Sequence, residues 1–146
     1  MVVPKGTTPS GELHMHWLLL KDATKTRSIV HAHPTYTIAA MYRGFDLQVL
    51  CTQFPEIFRY TRVGPTVPNL PAVSAELGEA TAQQIGVKEN GQIEFDIVGQ
   101  ENHGVTAIGP DPWTAFEHIE RLEHICKIVL MSGVHPDTVL ERAGEV

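Results

Sequence analysis

Ser28-Ile29-Val30-His31-Ala32-His33-Pro34 is the stretch on which the reading of this chain turns. It predicts a short buried strand over 28–33 carrying two imidazoles at i and i+2. Alternate side chains of a strand point to one face, so His31 and His33 aim at a common point while Val30 and Ala32 face away. Two convergent imidazoles begin a metal site. Two hydrogen-bonded histidines near a strand end are the plainer alternative, and the pair alone favours that one. The runs Pro9-Ser10-Gly11-Glu12 upstream and Glu101-Asn102-His103-Gly104 downstream shift the balance towards the metal.

The rest of the composition narrows the class. With 146 residues, 42% of them hydrophobic and 19% charged, the chain has the make-up of one ordinary globular domain with a real core. A formal net charge of −6 and a scatter of Lys and Arg give no basic footprint for nucleic acid or for an acidic membrane surface. No apolar run approaches the roughly 20 residues that span a bilayer. The first residues, Met1 to Gly6, contain no apolar core of a secretory signal. Cys51 and Cys126 lie far apart and outside any C-x-x-C, the pattern of buried free thiols, and a cytoplasmic location is the expectation.

Along the chain, Ser10 is placed to cap a helix over about 11–20, with Leu13, Trp17 and Leu20 as its core stripe. Thr35 is placed to cap a short helix over 36–42 that Gly44 ends. Asp46 to Thr52 reads as a strand. The proline-rich segment 53–74 reads as a long irregular crossing, of the kind that is functional or packed on a partner. Ser74 caps a helix over about 75–85, and Asn90-Gly91 marks a turn. Strands are expected over 93–98 and 105–108, flanking the Asn102-His103-Gly104 corner. Pro112 opens a long helix to about Met131, with Phe116, Ile119, Leu122, Cys126 and Val129 on its apolar stripe. A last helical turn, capped by Asp137, follows His135.

Single histidines carry less weight. His14 and His16 also form an H-x-H, but about 200° apart on a helix they share no ion. Glu12 and His16, at i and i+4, share a face, so His16 is a candidate support for Glu12. His118, His124 and His135 read as surface or packing residues, and Glu123 as a partner in a local or intersubunit pair.

In order, these pieces resemble the class II aldolase/adducin family. The resemblance rests on Pro9-Ser10-Gly11-Glu12 with His16, then Val30-His31-Ala32-His33 at the expected spacing, then Asn102-His103-Gly104, then a long helix bearing Glu123. It covers about residues 4–132. It implies a three-layer α/β/α fold with a mainly antiparallel central sheet. It further implies that His31, His33 and His103 hold a divalent metal, usually Zn²⁺, that Glu12 is the acid/base, and that Ser10 and Gly11 touch substrate. The implied reaction is aldolase-type cleavage of a carbon–carbon bond in a small hydroxy-carbonyl or sugar-phosphate compound through a metal-stabilised enediolate. Epimerisation, decarboxylation and a non-catalytic adducin-like assembly role are the alternatives within the family. A cupin-type metal enzyme is the alternative outside it, and it expects a glutamate shortly after the H-x-H; here the next is Glu56. The resemblance also implies a homotetramer with sites at subunit contacts. Against the family pattern, the chain, taken as a single domain over 1–146, looks short before Pro9. It carries Gly11 where sugar-phosphate aldolases often have a second serine. Thr52 stands where a neighbouring subunit's tyrosine is expected, with Tyr60 the nearest tyrosine downstream.

Overall fold

The computed structural model describes residues 5–144. Its centre is an antiparallel sheet of order β1-β3-β2, built from β1 (Ser28–Ala32), β2 (Ile97–Gln100) and β3 (Gly104–Gly109). Ala32 pairs with Val105 and Ser28 with Gly109, while Gln100 pairs with Gly104 around the tight 101–103 corner. Among the described residues seven helices surround the sheet: α1 (Leu13–Asp22), α2 (Thr35–Tyr42), α3 (Leu47–Thr52), α4 (Pro55–Tyr60), α5 (Ala75–Ile85), α6 (Pro112–Ser132) and α7 (Pro136–Ala143).

Strand periodicity sorts the core into two layers. Ile97, Val105 and Ala107 turn to one side, where they join Ala40 and Met41 of α2 and Ile119, Leu122 and Cys126 of α6. Val98 and Ile108 turn to the other and pack on Met15 and Leu19 of α1 and Leu77 and Ile85 of α5. The expected α/β/α layering is therefore present. Val30 and Ala32 pack on the α2/α6 side and Ile29 on the α1/α5 side. His31 is opposite Thr106 in the ladder, so it shares the α1/α5 face.

Several helices end as their residues dictate. The Ser74 hydroxyl accepts the Leu77 amide at 3.0 Å, and Gly86 closes α5 in the left-handed conformation. Asp111 caps α6 through the Trp113 and Thr114 amides, Pro112 occupies the first turn, and Gly133 ends the helix. Gly44 ends α2: its amide reaches the Met41 carbonyl while the Phe45 amide reaches that of Ala40.

Other expectations fail, each for a definite reason. The segment 46–52 is a helix rather than a strand: Asp46 accepts the Gln48 and Val49 amides at 2.8 and 3.0 Å, and this cap outweighs the apparent alternation of Leu47, Val49 and Cys51. Helix α1 starts at Leu13, and it buries Met15 and Leu19 with the flanking Glu12 and Ala23. The expected stripe is on the wrong side, with Trp17 46% and Leu20 47% exposed. Ser10 does not cap α1; its hydroxyl accepts the Glu12 amide one step earlier. Thr35 lies inside α2, whose cap position is Pro34. Strand β2 begins only at Ile97, because Glu94 and Phe95 donate their amides back to Ile85 and the end of α5. In α6, Phe116 is 41% exposed whereas the rest of its stripe is buried. Asp137 sits in the first turn of α7 instead of capping it.

The crossing 53–74 is partly ordered by α4 and partly by the sheet edge. Gly64 and Val67 donate their amides to the Ile97 and Gly99 carbonyls, and Arg62 pairs with Asp96. This anchoring carries the chain across the molecule to Val73, beside the start of α1.

Candidate active site

His31 is positioned by β1 itself, and His33 lies one residue past the strand's end. His31 Nδ1 lies 3.0 Å from the Val105 carbonyl oxygen, which can only accept. Nδ1 therefore carries the proton and Nε2 presents a lone pair. That Nε2 lies 3.1 Å from Nε2 of His33. The ring of His33 rests against Gly104. A Cβ at 104 would collide with the Ala32 carbonyl oxygen and come within 2.7 Å of His33 Cδ2, so glycine is required there by close approach.

The corner between β2 and β3 supplies the third imidazole. Asn102 adopts φ 57°, a left-handed conformation that asparagine tolerates, and the His103 amide returns to the Gln100 carbonyl at 3.0 Å. The ring of His103 thereby comes 5.0 Å from that of His31 and 5.1 Å from that of His33, centroid to centroid. One nitrogen from each of the three rings lies within 4.8 Å of the others.

This donor set fits a divalent ion. Two nitrogens bound to one tetrahedral Zn²⁺ stand about 3.3 Å apart, close to the His31–His33 spacing of 3.1 Å. The Val105 carbonyl gives His31 the outer hydrogen bond that ligating imidazoles generally make. The His31 pKa is lowered to about 4, first by burial, then by the neighbouring His103 and His33, with Glu12 and the Val105 bond opposing. A ring kept neutral at pH 7 has its lone pair free to ligate. His33 is exposed, so the cluster opens to solvent on one side.

Glu12 arrives from the other layer. It is the N-cap residue of α1, it is only 7% exposed, and its Oε1 lies 3.8 Å from His103 Nε2. The same oxygen accepts the Val73 amide at 2.9 Å. Val73 has φ 65°, a left-handed conformation in which a β-branched residue is strained. Strain therefore sits in the very residue that holds the carboxylate. His16 is half-buried, and burial lowers its pKa while the nearby Glu12 charge opposes that. Among the described residues His16 makes no side-chain hydrogen bond to Glu12. Ser10 and Gly11 lie immediately beside Glu12. With Leu13, His14 and Trp17 they line a surface depression of about 550 Å³ on the outer side of α1.

The layer beneath the histidines is polar and buried. Gln100 donates to Thr81 Oγ1 at 2.9 Å and to Met15 Sδ at 3.2 Å, and Thr106 Oγ1 approaches Met15 Sδ and His31 Nδ1 at 3.4 Å each. Of the remaining histidines, His118 is buried in α6 with its Nδ1 2.9 Å from Thr61 Oγ1, a packing role. His124 and His135 are exposed. Glu123 pairs within the chain: its carboxylate accepts the Tyr36 and Thr37 amides at 2.9 and 2.8 Å and the Thr37 hydroxyl at 2.9 Å.

Sequence reasoning brought Glu12, His31, His33 and His103 to one place and missed the groups that hold them. Two of those are main-chain groups, the Val73 amide and the Val105 carbonyl, and main-chain groups leave no mark in residue type. Gly104 leaves room for both the Ala32 carbonyl and the His33 ring.

A family model described as "Class II Aldolase and Adducin N-terminal domain" matches residues 2–130. Among curated proteins, a rhamnulose-1-phosphate aldolase of Bacteroides thetaiotaomicron is 30% identical over 93% of this chain and 51% of its own length. An L-fuculose phosphate aldolase of Methanocaldococcus jannaschii is 25% identical over 85% of this chain and 62% of its own. This chain thus spans between half and two thirds of these relatives. Among solved structures, a sugar-phosphate aldolase from Thermotoga maritima superimposes with a TM-score of 0.71 at 25% identity, over 86% of this chain and 55% of that one. The L-fuculose-1-phosphate aldolase from Thermus thermophilus shares the fold, with a TM-score of 0.67 at 21% identity over 90% of this chain and 65% of that one.

Proposed function

Since this chain belongs to the class II aldolase and adducin N-terminal domain family, we propose that it is a divalent-metal-dependent lyase that cleaves a carbon–carbon bond by a retro-aldol reaction. The substrate class is a small hydroxy-carbonyl compound, with sugar phosphates first in line because the relatives named above act on them. The observation that carries this reading is the convergence of His31, His33 and His103 within 4.8 Å, with the Glu12 carboxylate 3.8 Å from His103.

In this proposal His31, His33 and His103 hold the ion, and Zn²⁺ suits three imidazoles best. Such an ion supplies Lewis acidity for the negative charge that develops on substrate oxygens as the bond breaks. The Val105 carbonyl fixes the His31 tautomer so that Nε2 faces the centre. Glu12 moves the proton. The Val73 amide steadies Oε1, the oxygen that faces His103, and the carboxylate takes a proton from a substrate hydroxyl oxygen and returns one to carbon. The buried setting of Glu12, 7% exposed, keeps bulk water from competing for that carboxylate. Ser10 and Gly11 are proposed to line the substrate approach, with the Ser10 hydroxyl as one donor to a phosphate or hydroxyl group.

The exposed His33 and a surface carrying Phe58 at 68% and Trp113 at 78% exposure support an assembly that covers these groups, and a homotetramer in the cytoplasm is the form proposed. Among the described residues no helix is long and apolar enough to cross a membrane.

Elemental mass spectrometry of the purified chain, joined to a screen of aldol-cleavage substrates, tests the reading. The expected result is about one divalent ion per chain and cleavage of at least one hydroxy-carbonyl substrate that chelation abolishes. Absence of a bound ion after reconstitution with zinc, cobalt or manganese overturns it.

A further inference from the structure

Helix α2 begins in an unusual way. Its cap position is Pro34, which has neither a side-chain acceptor nor an N–H of its own. The amides of Tyr36 and Thr37, in the first turn, have no acceptor from their own segment. Both are taken by Glu123, which reaches across from α6: Oε1 accepts Tyr36 at 2.9 Å, and Oε2 accepts the Thr37 amide at 2.8 Å and the Thr37 hydroxyl at 2.9 Å. A carboxylate at a helix N-terminus also meets the favourable end of the helix dipole. Glu123 thus does for α2, from 86 positions away in sequence, what Asp111 does locally for α6.

The position of this cap matters because His33 immediately precedes Pro34. The backbone of His33 is caught between two fixed points. On one side Ala32 is paired with Val105 in the sheet. On the other, Pro34 is extended with φ −69° and leads directly into the clamped first turn. A residue before proline is itself confined to extended backbone. Gly104 leaves room for the His33 ring but supplies no hydrogen bond to hold it. His31, by contrast, is held at Nδ1 by the Val105 carbonyl. The aim of the exposed His33 ring therefore depends on where α2 starts, and Glu123 sets that start.

We infer that Glu123 is a positioning residue of the candidate metal centre: capping α2 from α6, it fixes the backbone that aims His33 at the ion. The inference rests on the reading of His31, His33 and His103 as ligands. Loss of this carboxylate lets the first turn of α2 fray and His33 swing, and the cluster is left with His31 and His103.

The test uses Co²⁺ as the probe, because its visible absorption reports ligand number and geometry. Wild type, Glu123→Gln, Thr37→Val and Asp111→Ala are titrated with Co²⁺ at pH 7.5, and the thermal midpoint of each apo protein is measured. Glu123→Gln keeps the side-chain shape but turns an amide N–H₂ towards backbone donors. It should lower Co²⁺ affinity about tenfold, at the lower end of the loss seen when support of a ligand is removed, and should shift and weaken the tetrahedral band. Thr37→Val removes one of the three hydrogen bonds and should move both readouts the same way by less. It keeps the test decisive if Glu123→Gln does not fold. Asp111→Ala removes a cap of the same kind away from His33. It should lower the thermal midpoint while leaving Co²⁺ affinity and spectrum as in wild type. Unchanged affinity and spectrum in Glu123→Gln and Thr37→Val, with wild type binding normally, overturn the inference and leave the ligand reading intact. Failure of wild type to bind Co²⁺ overturns both. A loss of affinity in Asp111→Ala matching that in Glu123→Gln also overturns it, since general destabilisation then accounts for the effect.

Discussion

His103 and Glu12 approach within 3.8 Å of each other, yet the molecule holds them by different means. His103, with His31, is placed by the sheet: a tight corner between paired strands for one, a ladder position and a carbonyl for the other. Glu12 is the N-cap residue of α1 and is steadied by one amide from a strained, 60% exposed loop residue, Val73. His31 and His103, two of the groups that must keep a fixed mutual geometry, are tied to paired strands. The group proposed to gain and lose a proton stands where small adjustments are cheap. The carboxylate proposed as acid/base needs reach more than it needs rigidity, and the difference in support suits that proposed role.

The sharpest way to break this comparison is to remove one member of each kind. His103→Ala leaves two imidazoles, and metal affinity should drop by more than about 10²-fold, with activity lost alongside it. Glu12→Gln should leave the ion in place while turnover falls by about 10²–10⁴-fold. Metal content by mass spectrometry and turnover on a cleaved substrate separate the two outcomes. If His103→Ala retains full metal, or Glu12→Gln releases it, the division of labour is wrong.

A milder test uses pH. His31 has its folded pKa lowered to about 4, below the ordinary 6.5, and His16 and His118 are lowered as well, all mainly by burial. In the window between the folded and unfolded values the unfolded chain binds more protons. Stability of the apo protein should therefore be full above about pH 6.5 and be lost progressively as pH falls towards 4. Thermal melts of apo protein across that range check the sign, and a midpoint that rises on acidification contradicts it. Bound metal should hold the midpoint up further into acid, because it competes with protons for the same nitrogens.

The smallest effect concerns the loop. Val73→Asn places a residue that tolerates left-handed backbone where a β-branched one is strained. It should stabilise the fold by about 1 kcal/mol, or about 3 °C in the thermal midpoint, while the amide donated to Glu12 survives. A fall in midpoint would mean that the packing of the Val73 side chain outweighs its backbone strain.

How much of this was legible in sequence depended on whether the signal was local. The convergence of His31 and His33 is what strand periodicity predicts, although β1 ends at Ala32 and His33 lies just beyond it. The third imidazole, His103, needed the ordered set of motifs, since nothing in an Asn-His-Gly corner says which strands flank it. Helix α1 misled because apolar residues occur all around it: Leu13, Trp17 and Leu20 look like a stripe, but the buried side carries Met15 and Leu19 and is shared with the polar Glu12. Segment 46–52 misled because one capping aspartate outweighed a weak alternation. The role of Glu123 was out of reach, because a residue that caps a helix 86 positions away leaves no trace in its own neighbourhood.

The β1–β3 ladder joins His31 to a carbonyl 74 residues further along the chain. Closing a loop of that length costs about 4 kcal/mol of chain entropy before any contact rewards it, and such distant pairings are slow to form. The three imidazoles therefore do not exist as a cluster in a half-folded chain. They come together only when β1 pairs with β3, so the centre that would bind an ion is also a marker that this long-range pairing has formed.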